Sequence, residues 1–356
     1  MKKRTITILI VALLVVVALL VIAGVALYAL MNDARIKAAL SISKVADGLY
    51  VMTYEGDYGF DAFLEQGGAS SDSVMARYVT DFLMQGFGAP EAQPDTAAQL
   101  GCSSFVVQYE RGIYFGRNFD FPSVNKAMIV KSRPANGYAS ISTACLDFMG
   151  MPAEWQPDGD IPSRIAALTA LYLPLDGINE MGLCVADLVA GDDEETHQST
   201  SLPDITTTTA VRLLLDKASC VSEAVELLRA HDMNTSIGTS HHLAIADASG
   251  HSVVVEYIGG QMYVTPTQVV TNHYLTPGEK YGVGNELSHE RHKVITHECN
   301  IMPYKTTPQR AMEVLRKVSY PEYTQWSIVF DTEVSEAYYV WKSNFDNKEL
   351  VFSVFN

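Results

Sequence analysis

Two apolar runs, CSSFVVQYE (102–110) and GIYFGRNFDF (112–121), flank the short linker ERG. Strand-like runs around a tight turn predict a β-hairpin. No other feature limits the fold of this chain as much, because a hairpin decides which residues meet. It returns Arg117 and Asp120 beside Cys102. A buried strand does not need that cysteine, and a surface hairpin does not need that arginine and aspartate.

Strand patterns continue downstream in KAMIVKS, MGLCVADLV, the long stretch from His241 to Asn272, QWSIVFDTEVSEAYYVWK and KELVFSVF. DASG (247–250) and Gly259–Gly260 read as hairpin turns. Helical periodicity is clearest over 206–232, which opens on a capping run of threonines, and over 307–320. The region 32–100 reads as partly helical and polar, with DSVMARYVTDFLMQGF at helical spacing and GAPEAQPDTAAQLG as an exposed connector. Strands outnumber helices, and helices fall between strand groups. The expected class is α+β with antiparallel sheets.

The first residues set a second limit. MKKR precedes Thr5–Met31, 27 positions without a charge. As a helix this stretch covers the roughly 30 Å hydrocarbon core. It is longer than the apolar region of a signal peptide, although ALYA (26–29) resembles a small-residue cleavage site. The expectation is one N-terminal transmembrane helix. Lys2, Lys3 and Arg4 stay cytoplasmic, and the rest lies on the extracytoplasmic side as a single-pass cell-membrane protein; a secreted protein is the alternative. The formal charge of −16, from 41 acidic and 25 basic residues, argues against a nucleic-acid partner. Oligomeric state is left open, a homo-oligomer included.

The five cysteines, Cys102, Cys145, Cys184, Cys220 and Cys299, are an odd number without CxxC spacing. At least one thiol is left over in an exported chain. A thiol reacts as the thiolate and needs a base, and no histidine lies in a recognisable papain-like context around Cys102. Cleavage before Cys102 would supply one, since an α-amine titrates near ambient pH. Gly101, lacking Cβ, allows the thiol to approach its own preceding carbonyl. Asp120 would hold the amine, and Arg117 would favour the thiolate.

GCSSF followed by GRNFDF resembles the N-terminal nucleophile hydrolases of linear amides. That group includes choloylglycine hydrolases, penicillin V acylases, the ceramidase and N-acylethanolamine amidase group, and penicillin-forming acyltransferases. The resemblance spans roughly residues 100–335, with its motifs in family order. It implies a four-layer αββα core and a nucleophile at Cys102 with Arg117 and Asp120 beside it. PLDGINEMGLCVA is similar to a segment carrying an oxyanion-hole asparagine, implying Asn179. VVTNHY implies Asn272 as a second polar contact, and SHERHKVI implies Arg291 in the site. The implied organisation is an anchor (1–31), an α-type pro-segment (32–101) and a catalytic domain (102–356), with self-cleavage between Gly101 and Cys102. The implied reaction is hydrolysis of a small N-acyl amide through a thioester, with no cofactor or metal. Acyl transfer to an amine and a non-catalytic binding module are the alternatives. The chain departs from the bile-acid enzymes in its long stretch before Cys102 and in TNHY where they carry an Asn-Pro type ending. His289, His292 and His297, near Glu290, Glu298 and Cys299, lack the HExxH pattern, so zinc is not the favoured reading.

Overall fold

The computed structural model describes residues 14–21, 28, 31–84, 101–236 and 238–355. The chain runs through α1 (Ala34–Ser41), β1 (Ser43–Ala46), β2 (Leu49–Glu55), α2 (Phe60–Glu65) and α3 (Asp72–Leu83). The hairpin β3 (Gly101–Gln108) and β4 (Ile113–Asp120) follows, then β5 (Ala127–Arg133), β6 (Ser140–Cys145), α4 (Ile161–Ala167), β7 (Pro174–Asn179) and β8 (Cys184–Val189). Next come β9 (Asp204–Thr206), α5 (Thr207–Lys217), α6 (Val221–Arg229) and β10 (Asp232–Asn234). Strands β11 (His241–Ala246), β12 (Ser252–Ile258), β13 (Gln261–Pro266) and β14 (Val269–Thr271) lead to α7 (Glu286–Ile301) and α8 (Pro308–Lys317). Strands β15 (Thr324–Asp331), β16 (Glu336–Trp341) and β17 (Leu350–Ser353) complete the order.

Among the described residues the strands form a nine-stranded sheet, β1-β2-β5-β6-β7-β8-β11-β12-β13, and a six-stranded sheet, β14-β3-β4-β15-β16-β17. Three apolar cores show how they stack. One joins α1 to α6 with the outer face of the nine-stranded sheet, through residues such as Phe63, Val79, Leu214, Met128 and Val255. A second lies between the sheets, where Ile129, Ala186 and Val254 meet Cys102, Phe115, Phe119 and Trp326. The third packs α7 and α8 on the far face of the smaller sheet, with Ile295 and Leu315 against Phe105 and Val329. Three cores between four layers make an αββα sandwich.

Alternation along each strand produces this arrangement, because successive side chains take opposite faces. Gly116 illustrates the closeness of packing: a Cβ there would lie 2.4 Å from the Phe105 ring across the hairpin. The turns at 247–250 and 259–260 form as expected, with Gly259 and Gly260 at φ 58° and 74°.

The structure corrects three expectations. The segment before Cys102 is not α-type alone: β1 and β2 enter the nine-stranded sheet, with Leu49 and Met52 fully buried. The sheets are not purely antiparallel, since β2 pairs with β5 in parallel. The helix expected over 206–232 is two helices. Thr206 and Thr209 form a capping box at the first, and Ala218 turns extended (φ −106°, ψ 133°). Glu223 then accepts the Ser219 backbone N–H at 2.7 Å, which favours a new helix start over continuation. Residues 85–87 at the end of the expected helical stretch, residues 88–100 of the expected connector and most of Thr5–Met31 lie outside the described residues. Among the described residues, no helix is long and apolar enough to cross a membrane.

Candidate active site

The β3–β4 register pairs Gly101 with Asp120, Cys102 with Phe119 and Ser104 with Arg117. Opposed residues share a face, so the hairpin sorts its polar groups into two sets. Cys102, Phe119 and Arg117 turn into the space between the sheets, and Gly101, Asp120 and Asn118 turn toward α7 and α8.

On the inter-sheet face, Cys102 is 1% exposed. Burial pushes its thiol up, and the Arg117 charge works against that. Arg117 is itself fully buried and joins both sheets. Its Nε lies 2.9 Å from Asp176 Oδ2 on β7. Its Nη2 donates to the Asp187 carbonyl on β8 at 2.8 Å, and Nη1 donates to the Asn118 carbonyl at 2.5 Å. Phe119 stacks on Trp326 with ring centroids 4.1 Å apart.

On the helix face, Asp120 Oδ2 accepts from Arg291 Nη1 at 2.7 Å, and Oδ1 accepts from the Thr324 hydroxyl at 2.6 Å. Burial raises the Asp120 carboxyl, while Arg291 and Thr324 oppose the rise. Arg291 Nη2 donates to Asn272 Oδ1 at 2.7 Å. The same oxygen accepts the Cys102 backbone N–H at 2.6 Å, and Asn272 Nδ2 donates to the Val189 carbonyl at 2.7 Å. The backbone nitrogen of Cys102 thus sits against a network of Asn272, Arg291 and Asp120. Gly101 belongs to the same junction: a Cβ there would lie 3.2 Å from both Asp120 Cβ and Oδ2, and 3.5 Å from Arg291 Nη1. Asn118 pins the helix layer by donating to the Leu315 carbonyl at 2.9 Å.

Five of the six expected side chains therefore converge, and Asn179 does not. Its Nδ2 donates to the carbonyls of Leu215 and Ala218, and its Oδ1 accepts from the backbone of Met181 and Leu183. Every one of these bonds goes to backbone, so Asn179 ties the β7–β8 turn to the end of α5. The residue of the DGINE stretch that reaches the site is Asp176, which the sequence reading missed; a carboxylate in an otherwise apolar strand is the signal that could have found it. Thr324 gave no signal of its own.

Behind Asn272 and Arg291 the imidazoles of His273, His289 and His292 pack together. The His273 centroid lies 4.1 Å from that of His289 and 5.1 Å from that of His292. Burial and these neighbours lower the His273 pKa to about 4. Among the described residues no group of three or more His, Cys, Asp or Glu is arranged to hold a metal ion.

Residues 172–347 match the family model described as acyl-coenzyme A:6-aminopenicillanic acid acyl-transferase. No curated protein is significantly similar in sequence. Among solved structures, a mutant of conjugated bile acid hydrolase from Clostridium perfringens superposes with a TM-score of 0.52 at 16% identity, over 71% of this chain and 92% of that one. A second variant of the same hydrolase gives 0.52 at 16%, over 71% and 93%. Penicillin V acylase from Agrobacterium tumefaciens gives 0.46 at 20%, over 67% and 83%. Residues 172–347, just under half of the chain, are thus similar to the acyl-transferase family model, and the fold is similar to that of conjugated bile acid hydrolase.

Proposed function

We propose that this protein is a cysteine N-terminal nucleophile hydrolase of linear, non-peptide amides, matured by self-cleavage between Gly101 and Cys102. The observation that carries the reading is the contact of the Cys102 nitrogen with Asn272 Oδ1 at 2.6 Å, where Arg291 bridges Asn272 to Asp120. An ordinary strand amide has no use for such surroundings. An α-amine at the same position would be oriented by Asn272 and drawn by the Asp120 carboxylate.

In maturation, the Cys102 Sγ attacks the Gly101 carbonyl carbon, the Gly101–Cys102 amide bond breaks, and the peptide nitrogen takes up a proton to become the free amine. Water then hydrolyses the Gly101 thioester. In turnover, the amine accepts the thiol proton, Sγ attacks the substrate amide carbonyl, and the substrate's amine leaves with that proton. Water attacks the resulting thioester and releases the acid. Asn272 would stabilise the oxyanion through the Nδ2 hydrogen that the Val189 carbonyl leaves available, a contribution of about 3–4 kcal/mol for a good donor. The amide must be a small N-acyl amide, whose acyl group the loops around the site select.

The matched family description favours a second reading, in which an amine replaces water at the thioester. Anchoring by Thr5–Met31, with the catalytic residues extracytoplasmic, belongs to the same proposal. Its support is the uncharged length of that stretch and the cationic residues before it.

Incubation of the mature enzyme with fatty N-acyl amines, a phenoxyacetyl amide and a conjugated bile acid tests the reaction. Release of acid from one class, with an acyl mass trapped on the peptide beginning at Cys102, is expected. Absence of both from every class contradicts hydrolysis. Formation of a new amide only when an amine is added assigns acyl transfer.

A further inference from the structure

We propose that Asp176 is a positioning residue for Cys102, acting through Arg117: it fixes the guanidinium beside the thiol and offsets part of its charge. This inference rests on Cys102 being the nucleophile. Arg117 donates to two backbone carbonyls, and among the described residues Asp176 is its ion-pair partner. Both members of the pair are wholly without solvent exposure, so water does not screen them.

The carboxylate is in turn fixed from the nucleophile's side. Trp326 Nε1 donates to the same Asp176 Oδ2 at 2.9 Å, and the Trp326 ring stacks on Phe119, the strand partner of Cys102. A closed circuit runs from Cys102 through Phe119, Trp326, Asp176 and Arg117 to the same stretch of β3. Other charged groups nearby are already engaged. Asp120 pairs with Arg291, and Asp187 pairs with His241 at 2.9 Å. Tyr339 on β16 lies within electrostatic reach of Asp176 and Arg117. The thiol therefore faces the Arg117 charge, which Asp176 offsets, and the Asp120 charge, which Arg291 offsets.

The test is the pH profile of Cys102 alkylation by iodoacetamide, measured with turnover on wild type, Asp176→Asn and Cys102→Ala. Asp176→Asn keeps the side-chain volume and removes the charge. Its alkylation midpoint is expected about one pH unit lower, because Arg117 is no longer offset. Its kcat is expected to fall about a hundredfold with KM little changed, because the guanidinium loses its anchor. A folded Asp176→Asn chain that stays uncut counts as the same loss. A purely structural role would move stability without moving the midpoint.

An unshifted midpoint and kcat within about twofold of wild type overturn the proposal. If Cys102→Ala is inactive in that experiment, the hydrolase reading stands and only Asp176 loses its role; if Cys102→Ala turns over normally, the hydrolase reading itself fails. Should Asp176→Asn not fold, Trp326→Phe decides. It removes the indole donor and leaves the carboxylate free to pair more fully with Arg117. An upward shift of the midpoint with lowered kcat supports the proposal, and no change in either overturns it.

Discussion

The two faces of the β3–β4 hairpin solve different problems with the same alternation. The inter-sheet face buries Cys102 and Arg117 in the core between the sheets and balances the cation with Asp176. The helix face places Gly101 and Asp120 against α7, where Arg291 and Asn272 gather around the Cys102 nitrogen. One face governs the sulfur and the other governs the nitrogen. The comparison separates what substitutions on each face should do: the first set should cost stability heavily, and the second should cost processing more than stability.

The largest expected effect is on the inter-sheet face. Arg117→Met leaves the Asp176 carboxylate buried without its counter-charge, a loss of about 3–5 kcal/mol in denaturant unfolding. A loss below about 1 kcal/mol would mean the pair does not hold the sheets together. On the helix face, Asp120→Asn keeps the shape and removes the charge that pairs with Arg291. Processing, followed by gel densitometry, is expected to slow about a hundredfold, while the chain stays folded. If stability collapses instead, the two faces are not functionally distinct.

Asn179→Ala sharpens the contrast from outside both faces. It strands two carbonyls and two backbone N–H groups, so unfolding should be easier by about 2–3 kcal/mol. The kcat of the folded fraction should be unchanged. Gly101→Ala adds a Cβ at 3.2 Å from Asp120, and processing is expected to slow about tenfold with little change in the thermal midpoint.

The smallest effect concerns pH. The folded His273 pKa of about 4 lies below its ordinary 6.5, so the unfolded chain takes up that proton first. Its contribution favours the folded state above pH 6.5 and is lost as pH falls toward 4. His273→Gln should therefore flatten the fall in thermal midpoint between pH 6.5 and about 4.5. An equally steep fall in the variant would remove the histidine cluster from the account.

The hairpin and the α+β class were legible in sequence, because period-two alternation and a tight turn act locally. Asn272 and Arg291 were legible through resemblance to a family, since no local pattern connects them to Cys102. Asn179 misled because an asparagine in a turn and an asparagine in an oxyanion hole look alike until their hydrogen-bond partners are known. Strand β2 was missed because its pairing with β5 is long-range, and β1 because it is a short, largely exposed edge strand that pairs only with β2. The buried role of Asp176 emerged only when β7 of the nine-stranded sheet was packed against β4 of the six-stranded sheet.

The packing of the first segment bears on maturation. Tyr50 and Phe63 are buried in the core they share with α4 to α6, so the two pieces of a cut chain should co-elute until denaturant is added. The most direct measurement is the intact mass of the purified chain from about residue 32, wild type beside Cys102→Ala, under denaturing conditions and with N-terminal sequencing. Two fragments in wild type, the larger beginning at Cys102, and one uncut chain in the variant are the predicted result. A single uncut wild-type chain that still turns over an amide would contradict the account, because Cys102 would then act without the free amine that the surrounding residues are arranged to hold.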